Sequence, residues 1–216
     1  SDSYQSSNSS RGSNVQAGGN VNLIATGAGK DSNILVQGSD ITAGKDVTLI
    51  ADNQVNLLAS KDTSSDRSTN SSSSAGVGVA VSVGKGGSPA FGITANASKG
   101  KGHGNSDDVV YNNTHVNAGN IVTIQSGGDT NLKGAVVSGK QVIADVGGDL
   151  NMESLQDTSK FDGKQQNIGG SITVGAGVAG SLSYSNSKAN GDYASVREQT
   201  GIQAGDGGFQ ANVKGN

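Results

Sequence analysis

The chain has 216 residues, enough for one sizeable core, yet only three Phe, four Tyr and no Trp to fill it. Its 35 glycines are about twice ordinary usage, and with no cysteine it has neither disulfides nor thiolate metal sites. A net charge of −3 with scattered Lys and Arg leaves no basic stripe, so nucleic acid is not an expected partner, and no apolar run approaches the roughly 20 residues of a membrane helix.

Low hydrophobicity with abundant Ser and Gly is the composition of disordered chains, but here Val, Ile and Leu fall in phase. Residues 1–14 are a Ser-rich tract, read as the tail of a preceding repeat. There is no apolar leader, and the chain stops at Asn216 in mid-pattern, so it is read as a piece of something longer. Residues 15–25, VQAGGNVNLIA, return at 41–51 as ITAGKDVTLIA, 26 positions on. The pattern returns from Val116 at an offset of 101, and Ile202-Gln-Ala-Gly-Asp begins it once more. A longer match sets 41–64 against 136–159 at a constant offset of 95. A unit of 20–26 residues therefore lies inside a super-repeat of roughly 90–100, and periods of this size signal a solenoid. Within each unit Val21-Asn-Leu, Val47-Thr-Leu, Val55-Asn-Leu and Leu150-Asn-Met alternate apolar with polar, which is the period of a strand. Gly-Gly and Gly-Lys-Asp punctuate them as turns.

One unit cannot bury its apolar face alone, whereas stacked units bury a continuous column. The expected fold is all-β, a right-handed parallel β-helix (solenoid) with β-hairpin inserts. Rungs occupy 15–61 and 112–158, and a third super-repeat begins at 199–216. Asn22, Asn56, Asn131 and Asn151 recur at one place in the unit and are expected to stack as an amide ladder. Tyr193 to Gln199 has the composition for at most one helical turn.

Two inserts break the rung pattern. The first, 62–111, opens on a Ser-rich tract. It then places Ala75, Val77, Val79, Val81 and Val83 at odd positions with Gly, Ala and Ser between them. After a turn over 84–89 the odd positions resume with Phe91, Ile93, Ala95 and Ala97. The second, 159–198, places Ile172, Val174, Ala176, Val178, Leu182 and Tyr184 at even positions. Each reads as a hairpin with one apolar and one small-residue face. Packing of the apolar face on the flank of the solenoid is the favoured reading. Strands of about 9–11 alternating residues also suit a membrane barrel, although large lipid-facing side chains and aromatic girdles are scarce.

Catalytic chemistry finds little support. His103 lies in a Gly-rich stretch and His115 at a rung entrance, neither at metal-ligand spacing. Gly-Asp pairs at Asp129, Asp149 and Asp206 resemble calcium-binding rolls, but the nonapeptide is never completed in tandem, so turn chemistry is the reading. Gly169, Gly170, Gly175 and Gly177 lack the βαβ setting of a dinucleotide fingerprint. Asp and Glu are scattered rather than paired as a glycosidase requires. Sequons at Asn8, Asn70, Asn96 and Asn112 are expected by chance in a chain this rich in Asn and Ser. No catalytic, cofactor-binding or metal-ligating residue is assigned, and no cofactor is expected.

VNAGNIVTIQSGGDTNLKGAVVSGKQV (116–142), DLNMESLQDT (149–158) and TGIQAGDGGFQANVKGN (200–216) resemble the haemagglutinin repeats of filamentous-haemagglutinin-type exoproteins. The resemblance is closest to the second repeat block of contact-dependent growth inhibition effectors. The first super-repeat departs from it, with LLASKDT at 57–63 in place of the fuller motif. The resemblance implies a very large exoprotein, exported through an outer-membrane two-partner secretion transporter and displayed on the bacterial surface. It implies a non-catalytic segment supporting toxin delivery across the target-cell outer membrane. The implied partners are that transporter, the target-cell outer membrane or its proteins, and flanking β-helix repeats of the same chain. An adhesin stalk binding host cells is the alternative.

Overall fold

Gly-punctuated alternation folds into coils of three short strands. The structure is a computed structural model that describes residues 1–83, 89–175 and 177–216; the turn over 84–88 and position 176 lie outside the described residues. Strand β1 (Asp2–Asn8) precedes the first coil of β2 (Asn14–Ala17), β3 (Val21–Ala25) and β4 (Ile34–Gln37). The second coil is β5 (Asp40–Ala43), β6 (Val47–Ala51) and β7 (Val55–Leu58). The chain then leaves in two long arms, β8 (Ser60–Val83) and β9 (Pro89–Asn112). A third coil follows with β10 (Thr114–Ala118), β11 (Ile121–Ser126) and β12 (Thr130–Lys133). In the fourth coil β13 (Ala135–Val146) runs unbroken across two faces before β14 (Leu150–Glu153). A second pair of arms, β15 (Asp157–Val174) and β16 (Val178–Ser195), precedes β17 (Gly201–Val213), which opens a fifth coil.

Every pairing between coils is parallel. On the first face Val15, Ile41, Val116, Val137 and Ile202 stack in one column. On the second face Val21, Val47, Val122, Val142 and Phe209 form another. The third face stacks Val36, Leu57, Leu132 and Met152. These columns face inward because alternate residues of a strand point to one side. Val47, Leu49, Val55, Leu57, Val116, Val122, Ile124, Leu132, Val137 and Val142 have no solvent exposure. Burying each such side chain contributes on the order of 1.5–3 kcal/mol, and stacking is the only way this chain obtains it. The fold is therefore the parallel β-helix expected from the repeat.

Two details differ from the sequence reading. The gapless offset of 95 holds on the second and third faces, where Val47 leads through Val122 to Val142. On the first face Ile41 leads through Val116 to Val137, an offset of 96. The fourth coil lacks the corner residue between its first two faces, since β13 runs straight through. The amide ladder also has three members, not four. Asn131 donates to Asn56 (2.8 Å) and Asn151 to Asn131 (2.9 Å), whereas Asn22 lies on the second face beside Thr48.

The arms form their own five-stranded sheet in the order β1-β8-β9-β15-β16. Opposed side chains run antiparallel: Ser65 with Asp107, Ser68 with Gly104 and Ser74 with Ser98 across the first pair. Ser171 meets Ser181 and Ser183 meets Gly169 across the second. Thr94 and Thr173, 2.9 Å apart, join the two hairpins. The chain accordingly divides into two compact units. One is built from 1–6, 64–108 and 159–193, the other from 7–63, 109–158 and 194–216. Tyr193 to Ser195 remains strand, and the one helical element among the described residues is the 3-10 turn Gly29–Asp31.

Candidate functional site

Two features of the molecule combine unusual side-chain placement with accessibility. The first is a clasp within the solenoid unit, where the second pair of arms leaves and returns. His115 on β10 lies directly beside Asp40 on β5 in the parallel register. Its Nδ1 is 2.8 Å from Asp40 Oδ1 and its Nε2 is 2.9 Å from Glu198 Oε2. Glu198 also accepts from Asn113 Nδ2 at its carboxylate (3.0 Å) and its backbone oxygen (3.2 Å). Partial burial alone lowers the His115 pKa, but the hydrogen bonds and charges of Asp40 and Glu198 outweigh it and hold the imidazole above its usual value. Next to it Arg197 pairs with Asp157 at 2.8 Å, and Asp157 accepts the Tyr111 N–H at 2.7 Å. These groups line a cleft of about 290 Å³ with Gly38 and Leu155.

Asp62 plays at the first insert the part that Asp157 plays at the second. It accepts the Ser10 N–H at 2.7 Å, and its other oxygen accepts from Asn112 at 2.8 Å. The Ser10 bond, then the Asn112 bond, lower its pKa. Chemically these are fastenings. Both imidazole nitrogens are committed to carboxylates, and neither is directed at a nucleophile. Among the described residues no group of three His, Cys, Asp or Glu is arranged to hold a metal ion. His103 instead contacts Asp162 at 3.2 Å between β9 and β15, in the hairpin sheet. Nothing in the sequence pattern singled out Glu198 or Arg197. The shared Asp-Thr-Ser of 62–64 and 157–159 was the signal that could have found the two fastening aspartates.

The second feature is the hairpin sheet near its turns. Val77, Val79, Val81, Phe91 and Ile93 occupy one face of the first hairpin, and Ile172, Val174, Val178, Leu182 and Tyr184 one face of the second. These rows, expected to be covered, are exposed: Val79 is 75% and Leu182 81% accessible. The opposite face carries Gly, Ala, Ser and Thr, tied by the Thr94–Thr173, Ser74–Ser98 and Ser171–Ser181 hydroxyl pairs. Farther from the turns the same strands become polar. There Arg67 grips Asp107 with contacts of 2.7 and 2.8 Å and donates to the Ser106 carbonyl at 2.8 Å. Among the residues whose side chains are described, the apolar stretch covers 75–81 in β8 and 91–97 in β9, about seven residues each against the roughly 9–11 of a strand that crosses lipid.

Stacked three-faced coils that emit paired strands define a β-solenoid repeat protein with hairpin inserts, a scaffold whose distinctive surface lies on the inserts. A profile of the hemagglutinin repeat matches residues 1–168, and the chain belongs to the hemagglutinin repeat family. It is similar to a protein named 16S rRNA endonuclease CdiA from Enterobacter cloacae, with 47% identity across 99% of this chain and 6% of that protein. It is also similar to one named Toxin CdiA from Escherichia coli, with 42% identity across 94% of the chain and 7% of that protein. A deoxyribonuclease CdiA from Yersinia pseudotuberculosis is 39% identical over 94% of the chain and 19% of its own length. The chain therefore spans a small fraction of the relatives it matches. No solved structure matches it.

Proposed function

We propose that this chain is a non-catalytic β-helical segment of a secreted, surface-displayed exoprotein of contact-dependent growth inhibition, and that it supports passage of a toxin across the target-cell outer membrane. Its relatives carry the names of toxins and nucleases, and the chain matches a repeat region amounting to about 6–7% of most of them. In this reading the coils are a spacer continued by flanking repeats, with super-repeats at 15–111 and 112–198 and a third from 199. The export partner is an outer-membrane two-partner secretion transporter.

The observation that carries the reading is the exposed apolar face beside the hairpin turns. A soluble sheet exposing Val77, Val79, Val81, Phe91, Ile93, Val178 and Leu182 on one side leaves a contiguous patch of the kind that marks an interaction site. With this face against lipid at the turn end, the polar half of each strand stays in water. Purified chain mixed with outer-membrane vesicles is expected to float with them. Val79→Ser, Ile93→Ser and Leu182→Ser together are expected to leave it in the soluble fraction while circular dichroism stays unchanged. Flotation that is absent for the parent chain, or equal for the triple variant, refutes the membrane role.

A further inference from the structure

Return arms and outgoing arms meet in the hairpin sheet by a rule that the strand order repeats. β1 is followed by the first coil, β9 by the third and β16 by the fifth, so a return arm enters every second coil. Outgoing arms β8 and β15 leave the second and fourth coils. In the sheet, β1 lies beside β8 and β9 beside β15: each return arm pairs with the next outgoing arm. Both junctions are closed by the same device. Asp62 accepts the N–H of Ser10, and Asp157 that of Tyr111, each at 2.7 Å. The aspartates stand 95 positions apart in matching Asp-Thr-Ser motifs, and the donors each precede a first-face valine, Val15 or Val116, by five residues.

The geometry is self-propagating. A hairpin is two strands wide, about 9.6 Å at a strand spacing of about 4.8 Å, and two coils rise by the same amount. Adding a super-repeat therefore adds two strands to the sheet for every two coils. β16, in contrast to β9, has no strand on its far side among the described residues, and all but the last of its 18 residues are exposed. An unpaired edge of this length is a template for strand addition.

We propose that the free edge of β16 is the docking edge for the outgoing arm of the hairpin carried by the next super-repeat, so that inserts of successive super-repeats build one continuous antiparallel sheet growing by two strands at a time. The occupant is an outgoing arm like β8 or β15, the two arms already seated on β1 and β9, each polar near the coil and alternating small residues with Val or Ile toward its turn. Growth by pairs also fits a bilayer, where open edges are not tolerated and closed bacterial barrels have even strand numbers. That last consequence rests on the membrane reading above; the pairing itself does not.

The chain has no cysteine, so paired substitutions report cleanly. A tandem chain is made from residues 1–201 followed directly by 15–216, joined where Ile202 and Val15 occupy the same column. The β1 strand of the second half is thereby omitted and its β8 is left open. One cysteine replaces Ser183 in the first half, and a second is scanned over Ser74, Gly76, Gly78 and Ala80 of the second half. The expected result is a disulfide within one chain at one scanned position. It should move two residues along β8 in the opposite sense when Ser181 replaces Ser183 as the fixed site. Thr94→Cys with Thr173→Cys in the first half, across the existing junction, is the folding control. If that control links while no scanned position does, or links form only between separate molecules, the proposal is overturned. Neither readout involves lipid, so failure of membrane association leaves it standing.

Discussion

A single methyl group at one corner of a coil measures how tightly the coils are stacked. Each Ala-Gly corner places a glycine above its counterpart in the preceding coil: Gly18, Gly44 and Gly119 form the column. A Cβ on Gly119 would lie 2.2 Å from the Gly44 carbonyl oxygen, and one on Gly44 2.4 Å from that of Gly18, whereas a Cβ on Gly18 meets nothing within 4 Å. Relief even to a tight contact of about 3.2 Å opens the coils by about 1 Å. That stretches the Gly119 N–H bond to Ala43 (2.9 Å) and the Asn120 N–H bond to Lys45 (2.8 Å) beyond hydrogen-bonding range. Two backbone bonds at about 0.5–1.5 kcal/mol each, or the equivalent overpacking strain, put the cost of Gly119→Ala at about 1–3 kcal/mol. Gly18→Ala, the same substitution in the same motif, should change stability by no more than about 0.5 kcal/mol, or raise it slightly by stiffening the unfolded chain. Urea unfolding followed by far-ultraviolet circular dichroism measures both. Equal midpoints for the two variants would refute the stacking argument, since only the coil beneath distinguishes them.

Three further outcomes follow from the geometry. Asn131→Ala removes two ladder bonds and Asn151→Ala one, so the urea midpoint should fall about twice as far for the former, with each partly exposed bond at about 0.5–1 kcal/mol. Leu132→Ala, in a side chain with no exposure, should cost about 2–5 kcal/mol, while Leu35→Ala, 61% exposed, should stay within about 0.5 kcal/mol in the same assay. The His115 pKa is raised in the folded chain by Asp40 and Glu198. Its contribution is therefore fully present below about 6.5 and lost as pH rises through the higher folded value. Unfolding midpoints between pH 6 and 9 should fall for the parent chain and flatten for His115→Gln; an unchanged slope in the variant would assign the pH dependence elsewhere.

The repeats made most of the solenoid legible in advance. Gapless returns from Val15 to Ile41 and to Val116 are the register in which those residues stack, because residues that must share an inward column are held to one chemistry. The reading failed where identity and stacking part company. Asn22 resembles Asn56 locally, but the two stand on different faces of the coil, and a ladder needs neighbours 4.8 Å away along one face. Likewise the first face of the fourth coil slips by one position, because Ile41 to Ser64 and Val136 to Ser159 match best in sequence while the missing corner is absorbed within β13. Of the site, no residue was singled out in advance: Asp62 and Asp157 lie in the shared Asp-Thr-Ser of the 95-residue match, a signal that was present but not read as a fastening, while Glu198 and Arg197, which reach the His115 and Asp157 fastenings, belong to no repeated pattern.

Sequence alone determined that the chain is a β-helix with strand-forming inserts, because a period of two inside a period of 20–26 can satisfy burial in no other common way. Only the tertiary structure decided where the inserts' apolar faces go. Alternation tells that a strand has an apolar side, but it is blind to what, if anything, lies opposite that side. The answer depends on pairing between arms of different hairpins, in contact across 46 to 79 residues of sequence, which set Thr94 against Thr173 and left Val79 and Leu182 exposed.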